Sequence, residues 1–258
     1  MIVYDEAEAR KTDRAYQTPD VTRQRMRTLE ALQLKAGEFV LDVGCGSGLL
    51  THDMATQVGP GGRVVGVDVS QDMLDLAEQR CGDLPQVRLK QSRAENILEG
   101  DGSFDAAVCV QVLLYLSDVE AALCEIYRVL KPGGRVAVIE TDWRGTVLNS
   151  FDDPLTRKML AAWDDEVPSP NLPVRLGPLM TAQGFSAVSV DAFPIVNTSI
   201  APGGWSIEML EQFAQHARAQ GAVSAADSEA WLDDLQQKGA QGAYFFCVNR
   251  FVFTAVKS

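Results

Sequence analysis

Residues 39–48 read Phe-Val-Leu-Asp-Val-Gly-Cys-Gly-Ser-Gly, an apolar run that ends in an acid and opens into alternating glycines. The run has the length of one buried strand, and the glycines let the chain turn tightly and approach a ligand closely. Leu49 to Val58 follows as a helix, so the stretch is strand, loop, helix. Outward from it the pattern repeats: runs at Arg63 to Val67, Val87 to Lys90, Phe104 to Val110 and Arg135 to Thr141 are each followed by a segment of helical length. Strands alternating with helices need right-handed crossovers and a mostly parallel sheet covered on both faces. The fold class is therefore α/β, a three-layer sandwich.

Local signals mark the elements. Ser117-Asp118-Val119-Glu120 reads as a capping box, Lys131-Pro132-Gly133-Gly134 stops the helix it opens, and Val119, Ala122, Leu123, Ile126 and Leu130 share one face between them. Pro60-Gly61-Gly62-Arg63-Val64 recurs as Pro132-Gly133-Gly134-Arg135-Val136, each time between a helix and a strand.

From about residue 144 the rhythm breaks, because Trp143 to Pro173 carries Pro154, Pro168, Pro170 and Pro173 with no clean strand. A helix at Val174 to Gln183 and a strand at Phe185 to Phe193 resume it, and Pro194 to Gly242 interrupts it again. The second interruption holds an amphipathic helix (Ile207, Leu210, Phe213, Ala214, Ala217) and another helix opened by Ser224 around Trp231 and Leu235. Tyr244 to Val256 closes the chain as an apolar strand, giving seven strands in all. The expected organisation is one domain over 1–258. It comprises an N-terminal arm and helix at 1–34, a ligand-binding core at 35–143, and helical lid insertions at 144–173 and 194–242. Residues 174–193 and 243–258 complete the sheet. Both insertions leave the carboxyl ends of strands, so both cover the same edge.

Composition narrows the partners. Of 258 residues, 46% are hydrophobic and 22% charged, ordinary for a globular chain, and the net charge is −12. A partner that tracks a nucleic-acid backbone needs clustered cations, so no nucleic acid is expected. The densest basic stretch, Arg23 to Arg27, reads as the solvated face of a helix. The start has acids where a signal peptide needs cations, and the longest apolar stretch, Ala106 to Leu116, falls short of the ~20 residues that span a bilayer. Five scattered cysteines without a C-x-x-C pair fit reduced thiols, so a cytoplasmic protein is expected, off the membrane, as monomer or homodimer. With only His52 and His216, a histidine metal site is not expected.

The loop Gly44-Cys45-Gly46-Ser47-Gly48 departs from the dinucleotide pattern, because Leu49 stands where that pattern has a third glycine and Asp42 precedes the first. A nicotinamide-dependent dehydrogenase is the poorer reading for that reason. By itself such a loop is also compatible with a plain turn. The second strand ends in Asp68, whose carboxylate can accept both hydroxyls of a ribose. The competing role for Asp68 is a helix cap, but Ser70 is the better cap.

These residues resemble the class I S-adenosylmethionine-dependent methyltransferases, and within them the small-molecule branch with the ubiquinone and menaquinone methyltransferases. The matching pieces are Asp42 to Gly48, Asp68, Phe104-Asp105 and Leu130 to Gly134, in order, over about residues 20–143. The resemblance implies a Rossmann-like sheet whose last strand is antiparallel between strands five and six. It implies S-adenosylmethionine as cofactor, with Gly44, Cys45 and Gly46 at the methionine part and Asp68 on the ribose. Val69 and Met73 would enclose the adenine, Ala94 and Glu95 would meet its edge, and Val110 and Gln111 would line the approach to the methyl group. Many relatives have Gly-Asp where this chain has Ser92-Arg93, and an arginine cannot accept a bond from the adenine amine.

Relatives that methylate base amines carry Asn/Asp-Pro-Pro-aromatic after strand four, where this chain has Val110 to Leu113. Metal-dependent catechol-type relatives carry an acid there and Asp-Asn after strand five, where this chain has Gln111 and Thr141-Asp142-Trp143. That leaves a small organic acceptor, neutral or aromatic, attacked at C, N or O, without a metal and mainly by positioning. Tyr16, Tyr115, Trp143 and Tyr244 are the candidate pocket residues, with ordinary core packing the competing role for the aromatics. No catalytic residue is assigned. Asp142 or His216 would be the first base to consider, although a surface position is the plain expectation for His216. The alternative function is a non-catalytic, cofactor-binding regulatory protein of the same fold.

Overall fold

The runs that begin at Phe39 lie side by side in one sheet. In the computed structural model, which describes residues 5–201 and 204–258, seven strands take the order β3-β2-β1-β4-β5-β7-β6. The strands are β1 Phe39–Val43, β2 Arg63–Asp68, β3 Val87–Gln91, β4 Phe104–Val110, β5 Leu130–Leu148, β6 Phe185–Asn197 and β7 Phe246–Lys257. The pairs among β1 to β5 are parallel, while β7 runs antiparallel between β5 and β6. The chain order reverses at β1, where β2 lies on one side and β4 on the other, and such a switch point opens a crevice at the carboxyl ends of the strands. The first four residues of the expected arm, and Pro202 and Gly203 of the second insertion, lie outside the described residues.

Central strands are buried on both faces, so β1, β2 and β4 are near-continuously apolar. On one side lie α3 (Leu49–Val58) and the end of α2 (Pro19–Leu32), with Leu29, Leu32, Met54 and Val58 meeting Val40, Val64 and Ile139. On the other lies α5 (Val119–Val129), with Val119, Ala122, Leu123, Ile126 and Leu130 all buried as its spacing predicts. Ser70 caps α4 (Gln71–Cys81) by accepting the Met73 amide, and Ser224 caps α9 (Ala225–Ala240) by accepting the Asp227 amide. No helix among the described residues is long and apolar enough to cross a membrane.

Three elements differ from the expectation, each for a local reason, while the first insertion is helical as expected. The helix after β4 starts one residue later, with Asp118 accepting the Ala121 amide at 2.9 Å, so Glu120 is too early for a capping box. β5 does not stop at Thr141: after a bulge between Asp142 and Val147 it pairs with β7 as far as Leu148–Phe246. The first insertion forms α6 (Asp153–Glu166), where Pro154 occupies the first turn, a place that needs no amide donor. Pro194 does not end β6, because β6 is the edge strand and has a free side. α6 packs on α8 (Trp205–Ala219) and α9, so the two insertions make one helical layer.

Candidate active site

Each glycine of the loop has its own reason to be there. Gly44 has φ of +72°, and a Cβ on it would stand 2.2 Å from Val112 Cγ2, so the loop and the segment after β4 touch backbone to side chain. Gly46 has φ of +52° and donates its amide to Asp68 Oδ2 at 2.9 Å. Gly48, at +79°, begins α3 against Ala77 of α4, where a Cβ would come within 2.9 Å. The amides of Gly44 and Cys45 both go to the Val67 carbonyl, at 2.8 and 3.0 Å. With three successive amides engaged by β2, the loop offers little of the N–H cradle that a pyrophosphate needs. What it supplies is close approach.

A cavity of about 180 Å³ sits at this edge. Gly44, Cys45, Gly46, Asp68, Val69 and Met73 line it from the first two strands, and Ala94, Glu95, Val110 and Gln111 from the third and fourth. Thus every residue proposed for the cofactor shares one wall. Burial raises the Asp42 carboxyl to about 7, opposed by the Thr51 hydroxyl that donates to it at 2.6 Å. Burial also raises Asp68, opposed by the amides of Ser70 and Gly46. The Cys45 thiol is pushed well above its ordinary value by burial and by the two acids, which leaves it inert as a nucleophile. Glu95 pairs with Arg93 at 2.8 Å, so the arginine that replaces the usual acid orients the acid that remains. Three carboxyls and no phosphate cradle fit a ligand that has a ribose and a cationic sulfonium. Asp68 retains lone pairs for ribose hydroxyls, since each oxygen accepts one amide.

The approach from β4 is anchored by residues the sequence reading did not select. Gln111 takes φ of +56°, donates its side-chain amide to the Ile139 carbonyl at 3.2 Å and accepts the Thr141 hydroxyl at 2.5 Å. Glu140 is fully buried and accepts the amides of Val112 at 3.2 Å and Leu113 at 2.8 Å, while burial lifts its carboxyl to about 8. The signal was present as a Glu-Thr pair inside an otherwise apolar strand.

The same cavity is also lined by Tyr16, α2 residues Gln24 and Arg25, Tyr115, and Arg250 of β7. Arg25 is held by Asp53 at 2.8 Å and its side chain is 15% exposed, which corrects the reading of Arg23 to Arg27 as a wholly solvated face. Trp143 and Tyr244 lie outside this wall. Trp143 is buried against Trp163, Trp205 and Phe213, and the buried Tyr244 donates to the Ser206 hydroxyl at 3.0 Å. The two base candidates are outside it as well: His216 packs edge-on against Trp163 with Nδ1 3.3 Å from Glu166.

Comparison with known proteins gives this geometry a family. A methyltransferase domain family matches residues 41–138. The demethylmenaquinone methyltransferase of Staphylococcus saprophyticus is 32% identical over 184 residues, covering 66% of this chain and 79% of that protein. The chain belongs to the class I S-adenosylmethionine-dependent methyltransferases. Its cofactor is S-adenosylmethionine, which the acids and glycines above fit. An uncharacterised 37.1 kDa protein in transposon Tn4556 of Streptomyces fradiae is 33% identical over 231 residues, covering 88% of this methyltransferase and 65% of that protein. The chain thus spans less than two thirds of that relative, and about half of several other demethylmenaquinone methyltransferases. Among solved structures, the 4+2 cyclase SpnF superposes with a TM-score of 0.60 at 25% identity, covering 92% of this chain and 81% of that one.

Proposed function

We propose that this methyltransferase transfers a methyl group from S-adenosylmethionine to a small organic acceptor, at carbon, nitrogen or oxygen, without a metal. The observation that carries the reading is one continuous cavity, lined by acids at the ends of β1 to β3 and also by Tyr16, Tyr115, Gln24 and Arg250. When bound, the cofactor supplies a methyl group on a cationic sulfur that leaves as a neutral thioether. The chain's own residues then have to bind, orient and exclude water. Asp68 receives the ribose hydroxyls, while Val69 and Met73 offer apolar surface to the base. Gln111, fixed from two sides by Ile139 and Thr141, sets the boundary between the two halves of the cavity. Tyr16 at the end of α1 (Glu6–Tyr16) packs its ring toward the glycine loop, where a Cβ on Gly46 would be 3.8 Å from it, and closes the cavity beside the methyl position.

The metal-free reading rests on Gln111 and Thr141-Asp142-Trp143, which stand where metal-dependent catechol-type relatives carry their acids. Five unpaired cysteines support a cytoplasmic location. The test is calorimetry with S-adenosylhomocysteine, followed by product masses from an acceptor panel with and without chelator. Failure to bind the cofactor product would sink the reading. A product isomeric with its substrate would instead align the chain's chemistry with that of the cyclase it resembles in fold.

A further inference from the structure

The residue that stands out in the acceptor half is Arg250. It is 4% exposed, yet it lines the cavity. Its Nη1 donates to the Gln24 side-chain oxygen and its guanidinium carbon lies 4.8 Å over the Trp205 ring, so the planar group is held from two sides. Its Nε is buried with no partner among the described residues, and no carboxylate among them comes within ion-pair distance. The nearby acids are engaged elsewhere. Asp20 pairs with Arg23 at 2.5 Å and accepts Asn197 at 3.0 Å, and Glu140 accepts two backbone amides on Oε1 while its Oε2 is buried without a hydrogen-bond partner among the described residues. A buried cation with no ion-paired carboxylate among the described residues is costly, and burial lowers the Arg250 pKa to about 10 against the through-space pull of Tyr16, Tyr115, Glu140 and Asp20.

Register fixes where this charge sits. Arg250 is the cross-strand partner of Thr141, so both side chains leave the same face, and the Thr141 hydroxyl touches Gln111 at the cofactor half. The guanidinium is therefore one strand away from the residue that borders the two halves. Within the cavity wall there is no histidine, and the acids Asp42, Asp68 and Glu95 belong to the cofactor half. The other described lining residues include Tyr16 and Tyr115 but no further carboxylate or imidazole.

Building on the proposed methyl transfer, we propose that the acceptor is an organic oxygen acid, a carboxylate, phenolate or enolate, whose oxyanion is received by Arg250 with Gln24 holding the guanidinium in place. Such an acceptor brings its own electron pair. The new bond from the acceptor oxygen, or from the carbon of an enolate, to the methyl carbon forms as the carbon–sulfur bond breaks, that pair departs on sulfur, and no proton need be removed at the site. Such an acceptor can be aromatic, as the sequence leads one to expect, with its charge met by the buried cation.

The test uses the protein saturated with S-adenosylhomocysteine and four probes: benzoate and para-nitrophenol, with methyl benzoate and para-nitroanisole as their neutral twins. The anionic probes are expected to bind more tightly than their twins. Bound para-nitrophenol should keep its coloured phenolate form to lower pH than it does in buffer. Arg250→Met should lose about 10- to 100-fold in anion affinity, the scale of a hydrogen bond to a charged group, with S-adenosylhomocysteine affinity unchanged. Arg250→Lys should recover part of the loss. Equal binding of the neutral twins, no binding of the anions, or an Arg250→Met protein that keeps the preference would overturn the proposal. A fall in S-adenosylhomocysteine affinity in Arg250→Met would also overturn it, by assigning the guanidinium to the carboxylate of the cofactor. If Arg250→Met does not fold, the twin comparison and the phenolate titration on the wild type decide the matter. Wild-type protein that does not bind S-adenosylhomocysteine at all would count against methyl transfer itself.

Discussion

The Asp68 carboxylate accepts the Gly46 amide at 2.9 Å, tying the end of β2 to the middle of the glycine loop between β1 and α3. One side chain thus holds the loop's shape and presents an acceptor to the cavity. Asp68→Ala removes both jobs, and S-adenosylhomocysteine affinity should fall by at least the roughly 1–3 kcal/mol of one lost buried partner. Asp68→Asn keeps one acceptor oxygen and should lose less. Calorimetry on the pair checks this, and unchanged affinity in Asp68→Ala would remove the ribose assignment.

Gly44 and Gly59 both have positive φ, +72° and +66°, but only Gly44 is crowded. Gly44→Ala should cost the backbone penalty of about 1–2 kcal/mol and in addition displace Val112, weakening cofactor binding. Gly59→Ala, with nothing within 4 Å, should cost only the backbone strain of its own conformation, φ +66° and ψ −173°, and leave cofactor affinity unchanged. Equal effects of the two on affinity would show that the contact between loop and Val112 does not shape the site.

Glu140 is raised from 4.5 to about 8 and Asp42 from 3.8 to about 7, both first of all by burial. The folded state holds these protons more tightly than the unfolded state. Their contribution to stability is therefore complete below the ordinary carboxylate range and is lost as pH rises through the folded values. Thermal melting should decline from about pH 4.5 to about pH 8. Glu140→Gln keeps an acceptor for the Val112 and Leu113 amides and should flatten that decline. The lowered carboxyls of Glu38, Asp105 and Glu125 act in the opposite sense, losing their contribution as pH falls below the ordinary carboxylate range. A wild-type profile that rises across the upper window would contradict the buried-acid account.

Trp143 stacks on Trp205 at 6.2 Å and meets Trp163 and Phe213 edge-on. Trp143→Ala should destabilise the protein by about 3–5 kcal/mol, the range for emptying a large aromatic site. Trp143→Phe should retain most of the stability and leave S-adenosylhomocysteine affinity unchanged. Chemical denaturation together with calorimetry checks both. A selective loss of ligand binding in a stable Trp143→Phe protein would return this residue to the acceptor pocket.

Much of this protein follows from interactions within a few residues. The spacing of Val119 to Leu130 gives a helix one buried face, Ser70 and Ser224 cap the helices they precede, and Gly44, Gly46 and Gly48 permit a backbone that other residues resist. Those signals suffice for the α/β layers and for the acid-lined half of the cavity, because that half is built where β1, β2, β3 and β4 end. The other half is decided by tertiary contact. Pro194 sits in a strand because β6 is at the sheet edge, and β5 continues past Thr141 because β7 is there to pair with it. The bond from Arg250 to Gln24 joins residues 226 positions apart, and the guanidinium faces the cavity only because β7 runs antiparallel in a register that pairs it with Thr141. Trp143 and Tyr244 show the converse. Aromatic character near the expected pocket was legible, but which aromatics face a ligand and which fill the core depends on how α6 and α8 pack over the sheet, which no local pattern encodes.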